Sequence, residues 1–308
     1  MNRNRLMRMK GVKWKRIVDR VLDKGLTLFC WAGGLFLLWS VMQVFCFTSF
    51  KIPSDSMEPG LIAGDFIIVN KLSYGARLFN VLDAIDKKEI KIRRLPGIGE
   101  VERNDVVVFN FPYPARWDSI GFDVMKYYVK RCIALPGDTF EIRKAQYRVR
   151  GVDMPLGKTT SQQELYRRLV SDRESLPLES ILKGYPYDSI IGWDIQEFGP
   201  MYIPKQGAEI MMNRTNAVLY KNLIEWEQKQ KLICREGAFF LGDKEIKTYR
   251  FCRNYYFMAG DKTVNSQDSR YWGLLPEEFI VGKASFVWKS KEPDTSRMRW
   301  NRIGKRIE

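Results

Sequence analysis

The sequence of 308 residues contains no histidine. A serine hydroxyl is a poor nucleophile near neutral pH and needs a base, so this absence excludes the usual catalytic triad. The five cysteines include no C-x-x-C pair, and a zinc site would have to use cysteine and carboxylate ligands alone. We therefore expect no metal and no cofactor, and lysine becomes the leading candidate for a catalytic base.

Charged residues are absent from Gly25 to Phe50. This run exceeds the roughly 20 apolar residues that a transmembrane helix needs. Residues 1–24 contain nine basic and two acidic residues, so the positive-inside rule predicts a cytoplasmic N-terminus and export of everything after Lys51. A cleavable signal peptide is the alternative, but the apolar run is too long and no small-x-small site closes it. The sequence favours an uncleaved transmembrane signal anchor over residues 25–50.

The cytoplasmic basic segment, residues 1–24, also carries apolar residues at helical spacing, among them Trp14, Ile17 and Val21. This pattern is typical of a helix that lies against anionic lipid. An arm that binds nucleic acid is the alternative, but the position beside the span favours lipid. We therefore predict membrane lipids as partners and no nucleic acid.

The exported part predicts a mainly β fold. Short runs of β-branched and aromatic residues are bounded by turn signals at residues 65–70, 105–111, 127–134, 139–143, 238–241 and 255–258. Pro136-Gly137-Asp138 and Gly242-Asp243 resemble hairpin turns, and Ser161–Glu164 resembles a helix capping box. We predict a signal-anchored catalytic β core over residues 51–143 and 235–290, a mixed inserted subdomain over 144–234, and a basic C-terminal tail over 291–308.

Ser56 is the candidate nucleophile. It lies between Pro53 and Pro59, which restrict the backbone on both sides of the hydroxyl. An ordinary turn leaving the membrane is the alternative interpretation. Lys130 is the candidate base, because strand alternation places it on one face with Tyr128, where burial would lower the pKa of the amine. A surface lysine paired with a carboxylate is the alternative there.

Several segments together indicate a protein family more specifically than Ser56 or Lys130 does alone. They are Pro53-Ser54-Asp55-Ser56-Met57-Glu58-Pro59, Arg103–Phe109, Tyr128-Val129-Lys130-Arg131, Leu135-Pro136-Gly137-Asp138 and Gly260–Gly273. In this order after an N-terminal span, they closely resemble type I signal peptidase, a membrane endopeptidase that removes signal sequences from exported proteins. The resemblance covers the span and most of residues 51–145 and 235–290. It implies secretory preproteins as substrates, cleaved after small residues.

The resemblance also implies roles for individual residues. Ser56 is expected to be the nucleophile and Lys130 the general base. The expected oxyanion donors are the Ser54 hydroxyl and the Ser56 N–H, and Ser266 is expected to orient the Lys130 amine. The expected pocket residues are Met57, Leu61, Tyr128 and Val129. The expected structural ion pairs are Arg131 with Asp261 and Asp268 with Arg270.

One triplet departs from the family pattern. Lys262-Thr263-Val264 stands where the family commonly has Asn-Arg-Asp, although the flanking motif residues persist. We therefore expect the local loop contacts to differ. Asp55 and Glu58 place two carboxylates beside Ser56, where we expect solvated turn residues; tuning of the substrate's charge preference is the alternative.

Two other functions fit parts of the sequence. A penicillin-binding acyltransferase also uses serine and lysine, and Ser180-Ile181-Leu182-Lys183 matches its S-x-x-K motif, but no K-T-G follows. A non-catalytic anchored binding module is the second alternative. The sequence favours a single-pass protease with a periplasmic catalytic domain in a bacterial inner membrane, because the large insertion resembles that of bacterial members. An organellar membrane is left open, as is a disulfide between Cys234 and Cys252.

Overall fold

The computed structural model describes the backbone of residues 3–171 and 183–308 and the side chains of residues 22–171 and 183–308. The chain divides into two compact units, Met1–Phe47 and Thr48–Glu308. The first unit contains the long helix α1 (Arg3–Phe45). Its segment Leu22–Phe45 is long and apolar enough to cross a membrane, with a mean hydropathy of 1.7. The apolar face predicted at Trp14, Ile17 and Val21 lies outside the described side chains.

The last residues of the uncharged run are not helical, although the predicted span extends to residue 50. Helix α1 ends at Phe45, and Phe47–Lys51 form the strand β1. Aromatic and β-branched residues such as Phe47, Thr48 and Phe50 suit a half-buried extended backbone. The difference arises because an uncharged run alone does not distinguish a helix from a buried strand.

A seven-stranded sheet organises the second unit. In spatial order its strands are β1, β2 (Asp65–Asn70), β17 (Ile280–Ser290), β5 (Val106–Asn110), β6 (Tyr127–Ala134), β15 (Tyr255–Ala259) and β16 (Leu275–Pro276). Strand alternation sends Val107 and Phe109 of β5 into one hydrophobic core and Val106 and Val108 into a second. The prediction of a mainly β protein with one N-terminal apolar helix is confirmed.

Strand β6 has two partners that cover different parts of its length. Strand β5 pairs with it along five positions, from Val106 opposite Arg131 to Asn110 opposite Tyr127. Strand β15 pairs with it only between Ala134 and Arg131. Within the described part of the chain, residues 127–130 therefore keep one edge without a partner strand.

Smaller elements surround this sheet. Before β5 they are β3 (Arg77–Leu78), α2 (Val81–Ile85) and β4 (Arg93–Arg94). Between β6 and β15 they are β7 (Thr139–Arg143), β8 (Gln146–Val149), α3 (Thr159–Ser171), β9 (Phe198–Tyr202), β10 (Glu209–Met211), α4 (Arg214–Gln228), β11 (Leu232–Arg235), β12 (Ala238–Leu241), β13 (Lys244–Ile246) and β14 (Thr248–Arg250). After β15 they are α5 (Ser269–Trp272) and the short 3₁₀ helices Thr263–Asn265, Glu277–Phe279 and Trp300–Arg302.

Local signals predicted some connections and missed others. The hairpin at Gly242-Asp243 is confirmed, because β12 pairs with β13. The hairpin at Pro136-Gly137-Asp138 is wrong, because β6 and β7 belong to different sheets. The capping box at Ser161 is also wrong. Helix α3 begins at Thr159, and the Ser161 Oγ instead accepts a hydrogen bond from the Thr263 N–H at 2.8 Å.

The C-terminal residues 291–308 fold onto the sheet. Arg302 donates to the buried Asp65 carboxylate from both Nε and Nη2, with shortest distances of 2.9 Å and 2.6 Å. Its Nη2 also donates to the carbonyl of Gly60 at 3.0 Å, and Ile307 packs against the second core. The end of the chain is therefore attached to the turn that joins β1 to β2.

Candidate active site

Ser56 lies in the turn between β1 and β2. The Glu58 N–H donates to the Asp55 carbonyl and the Leu61 N–H to the Met57 carbonyl, each at 2.9 Å. The Met57 and Leu61 side chains are buried in the second core. The turn is thereby anchored in apolar packing, while Ser56 is half-buried.

Lys130 reaches Ser56 from β6. Its side chain is 4% exposed, and its Nζ donates a hydrogen bond to the Ser56 Oγ at 2.6 Å. The ring of Tyr128 lies 5.6 Å from Nζ and stacks on Phe111 with a centroid separation of 4.5 Å. Burial lowers the pKa of Lys130 to about 8, because removing water penalises the ammonium form. The neutral amine is therefore accessible at mildly alkaline pH.

The other two serines expected at the site differ in their placement. The Ser54 Oγ is exposed and lies 3.5 Å from the Ser56 Oγ. Ser266 is buried, but its Oγ makes no hydrogen bond to Lys130.

Gly260 lies at a close backbone approach that sequence reasoning did not single out. A Cβ at this position would come within 2.1 Å of the Ser266 Oγ and 2.7 Å of the Ser56 carbonyl oxygen. The neighbouring Lys262 N–H donates to that carbonyl at 3.0 Å. Only glycine fits here, and the Gly260-Asp261 pair was the available sequence signal.

Two buried ion pairs hold the loop that follows β15. Arg131 contacts Asp261 through two hydrogen bonds of 2.7 Å. Arg270 contacts Asp268 at 2.8 and 2.9 Å, and both side chains are fully buried. Burial acts to raise the pKa of Asp268, but Arg270 and the Gly260 N–H hold it below its ordinary value. Removing one partner of such a pair costs about 3–5 kcal/mol, because the other charge is left buried and unpaired.

A groove of about 370 Å³ runs past Ser56 and Lys130. Three of the expected pocket residues line it, namely Met57, Tyr128 and Val129. Leu61 does not line this groove but borders a separate cavity of about 400 Å³. Further lining residues that sequence reasoning missed are Phe50, Ile52, Tyr127, Asn265 and Gln267.

The rings of Phe50 and Tyr127 explain why part of this lining was missed. Their centroids are 4.7 Å apart, so β1 lies across the groove from the unpaired edge of β6. The two strands are distant in the sequence and not adjacent in the sheet. No local pattern in β1 indicates this contact, because it depends on the curvature of the whole sheet.

Asp55 and Glu58 have a partner that the sequence did not predict. The Lys262 Nζ donates to Asp55 Oδ2 at 2.5 Å and to Glu58 Oε2 at 2.8 Å. Both carboxylates lie in a turn and stay partly exposed, as expected, but the expectation did not include this partner. The opposite charges were visible in the sequence, but a sequence separation of 207 positions between Asp55 and Lys262 gave no sign that they are in contact.

Other candidate groups add no second site. In the described part of the chain, no three Cys, Asp or Glu residues are grouped so that they could hold a metal ion. All five cysteines are free thiols, Cys234 and Cys252 included. Ser180, the serine of the S-x-x-K match, lies outside the described residues.

A serine hydroxyl hydrogen-bonded to a buried amine, in a groove on a β-sheet, brings together a candidate nucleophile and a candidate base, the pair that a serine hydrolase needs. Residues 26–289 match the family described as signal peptidase, peptidase S26. The chain therefore belongs to the signal peptidase family S26, whose members are serine peptidases that remove signal peptides from preproteins. The family resemblance inferred from the motifs is confirmed.

Relatives of this chain agree with that assignment. Signal peptidase I of Pseudomonas fluorescens is 31% identical, over 86% of this chain and 73% of its own length. Signal peptidase I of Buchnera aphidicola subsp. Schizaphis graminum is 30% identical, over 87% of this chain and 78% of its own length. A signal peptidase I of known structure from Enterococcus faecalis covers 61% of this chain at 20% identity, with a TM-score of 0.27. That superposition is too loose to support a structural argument.

Proposed function

We propose that this signal peptidase cleaves preproteins with Ser56 as the nucleophile and neutral Lys130 as the general base. The observation that carries the proposal is the 2.6 Å hydrogen bond between Lys130 Nζ and Ser56 Oγ. In the ammonium form, Nζ donates this bond. Once the amine is neutral, the Ser56 hydroxyl can donate instead, and its proton then lies on the path to Nζ.

The proposed reaction has two stages. The Ser56 Oγ attacks the scissile carbonyl carbon while its proton passes to the Lys130 Nζ. The negative oxygen that forms is held by the Ser54 hydroxyl and the Ser56 N–H. The C–N bond breaks, and Nζ returns the proton to the leaving amine of the mature protein. A water molecule, deprotonated by Nζ, then attacks the carbonyl carbon of the ester. The C–Oγ bond breaks, Nζ returns the proton to the Ser56 Oγ, and the signal peptide leaves with a free carboxylate.

The remaining site residues are proposed to act by positioning Ser56 and Lys130. The Arg131–Asp261 and Asp268–Arg270 pairs would hold the loop against the nucleophile turn. The role of Ser266 in orienting the Lys130 amine stays a prediction without a direct hydrogen bond to support it.

The proposed base makes activity depend on pH in a defined direction. Burial lowers the pKa of Lys130 to about 8, so the neutral fraction increases as the pH rises through that value. The acid limb of kcat/KM for the detergent-solubilised enzyme should therefore have an apparent pKa well below about 10.4, the ordinary lysine value. An acid limb with the ordinary lysine pKa would show that Lys130 is not the general base.

The unpaired edge of β6 supports an extended binding mode for the substrate. An incoming strand can hydrogen-bond to residues 127–130, while the side chains of Met57, Tyr128 and Val129 limit the pocket beside Ser56. We expect preproteins with Ala at the first and third positions before the cut to be processed. Replacing the first by Phe should abolish cleavage at that bond. Equal initial rates for Ala and Phe would contradict the pocket assignment.

The orientation in the membrane is also part of the proposal. The basic residues before the candidate span favour a cytoplasmic N-terminus and a periplasmic catalytic unit in a bacterial inner membrane. Protease added to intact spheroplasts should then digest the region after Lys51. Full protection of that region, with digestion only after lysis, would reverse the topology.

The experiment that tests the function as a whole is direct. Purified full-length protein is incubated with a preprotein, and the cut is located by N-terminal sequencing of the product. The Ser56→Ala protein serves as the matched control for contaminating proteases. A product that starts after a small residue with the native protein, and no product with the variant, is the expected result.

A further inference from the structure

The triplet Lys262-Thr263-Val264 lies between the nucleophile turn and the inserted helix α3. Its first residue contacts the turn through both its backbone N–H and its side chain. The Thr263 N–H donates to Ser161 of α3 at 2.8 Å. Val264 packs against a small apolar cluster that includes Leu165 of the same helix. The triplet that departs from the family pattern is thus built into contacts on both sides.

Lys262 makes three hydrogen bonds to the residues around Ser56. Its N–H donates to the Ser56 carbonyl at 3.0 Å, and its Nζ donates to the carboxylates of Asp55 and Glu58, which flank the nucleophile. Asn265 adds a second donor to Asp55 at 3.0 Å. Lys262 therefore contacts three residues of the nucleophile turn, Asp55, Ser56 and Glu58.

We propose that Lys262 is a positioning residue for the cleavage reaction. It ties the turn that carries Ser56 to the loop that carries Ser266, and it neutralises the two carboxylates beside the nucleophile. This inference rests on the proposed Ser56–Lys130 chemistry and adds a specific residue to it.

Charge explains why neutralisation matters for the base. The hydrogen bond from Lys262 holds the pKa of Asp55 below its ordinary value, so Asp55 stays anionic in the working pH range. An uncompensated anion near the Lys130 amine favours the ammonium form. Among the charged groups, Asp268, Asp261 and Asp55 have large effects that raise the pKa of this amine, and Arg270 has a large effect that lowers it.

Removal of the Lys262 charge should therefore move the pKa of Lys130 upward. If the shift is roughly half a unit, the neutral fraction at a pH below that pKa falls roughly threefold. Loosening of the turn adds a geometric loss, since small misplacements of reacting groups lower the rate of the chemical step. We expect Lys262→Met to lower kcat at neutral pH by roughly 3–10-fold, with KM changed less than about twofold.

The test compares four full-length proteins on one preprotein across pH. Lys262→Met should displace the acid limb of kcat/KM to higher pH, and Lys262→Arg should restore most of kcat because it keeps the charge and the donors. The matched control is Lys221→Met on the exposed surface of α4, which should behave as the native protein. Equal kcat and equal acid limbs for Lys262→Met and Lys221→Met would overturn the proposal.

A second variant tests the charge argument if Lys262→Met folds poorly. Asp55→Asn combined with Glu58→Gln removes the anions and keeps Lys262, so its acid limb should move to lower pH, opposite to that of Lys262→Met. An unchanged or higher limb would overturn the neutralising role. Ser56→Ala in the same assay separates the proposed Ser56–Lys130 chemistry from the proposed role of Lys262. If Ser56→Ala is inactive, the chemistry stands even where Lys262 proves dispensable. If Ser56→Ala still cleaves, both proposals are wrong.

Discussion

Ser56→Ala and Lys130→Ala should each lower kcat by roughly 10⁴- to 10⁶-fold, and the double variant should be little worse than either. The physical reason is that, in the proposed mechanism, the two side chains act as one unit through the 2.6 Å hydrogen bond, so removing either leaves the other without a function. Initial rates of preprotein cleavage, measured with enough enzyme to detect slow turnover, provide the test.

Matched variants separate chemistry from folding in that experiment. Ser285→Ala on β17 removes a hydroxyl away from the groove and should leave activity intact. Lys130→Arg should fail like Lys130→Ala, because a guanidinium does not give up its proton in this pH range. Multiplicative losses in the double variant, or cleavage retained by Lys130→Ala, would rule out the dyad.

Ser54→Ala should lower kcat by roughly 10²- to 10³-fold while leaving KM nearly unchanged, the usual result of losing one oxyanion donor. Its Oγ lies 3.5 Å from the Ser56 Oγ, and in the proposed mechanism it donates to the oxygen that becomes negative as Ser56 attacks. The hydroxyl is exposed, and its removal should leave the melting temperature unaltered. The measurement is steady-state kinetics with a preprotein at the pH optimum.

Ser54→Thr is the natural control for this prediction. It keeps a hydroxyl at the same position and should recover part of the lost kcat. A Ser54→Ala protein with raised KM and native kcat would instead assign the serine to substrate binding.

The sequence by itself determined the chemistry to look for. The absence of histidine excluded the usual base, and the motif around Ser56, together with Lys130 in a strand pattern, indicated a different one. The strand predicted at residues 127–134 has the observed bounds of β6, because alternation and β-branched composition are local properties that a strand expresses wherever it packs.

Only the tertiary structure decided which groups meet. Ser56 and Lys130 are 74 residues apart, and their contact depends on how β5 and β6 pair and on where the turn after β1 is anchored. Other placements depend on the tertiary structure in the same way. Leu61 lies in the core and not in the groove, and Ser161 contacts Thr263 instead of capping a helix. Lys262 contacts Asp55 and Glu58. Hydrogen bonds between distant segments depend on strand register and sheet curvature, and these are properties of the whole fold that no short stretch of sequence contains.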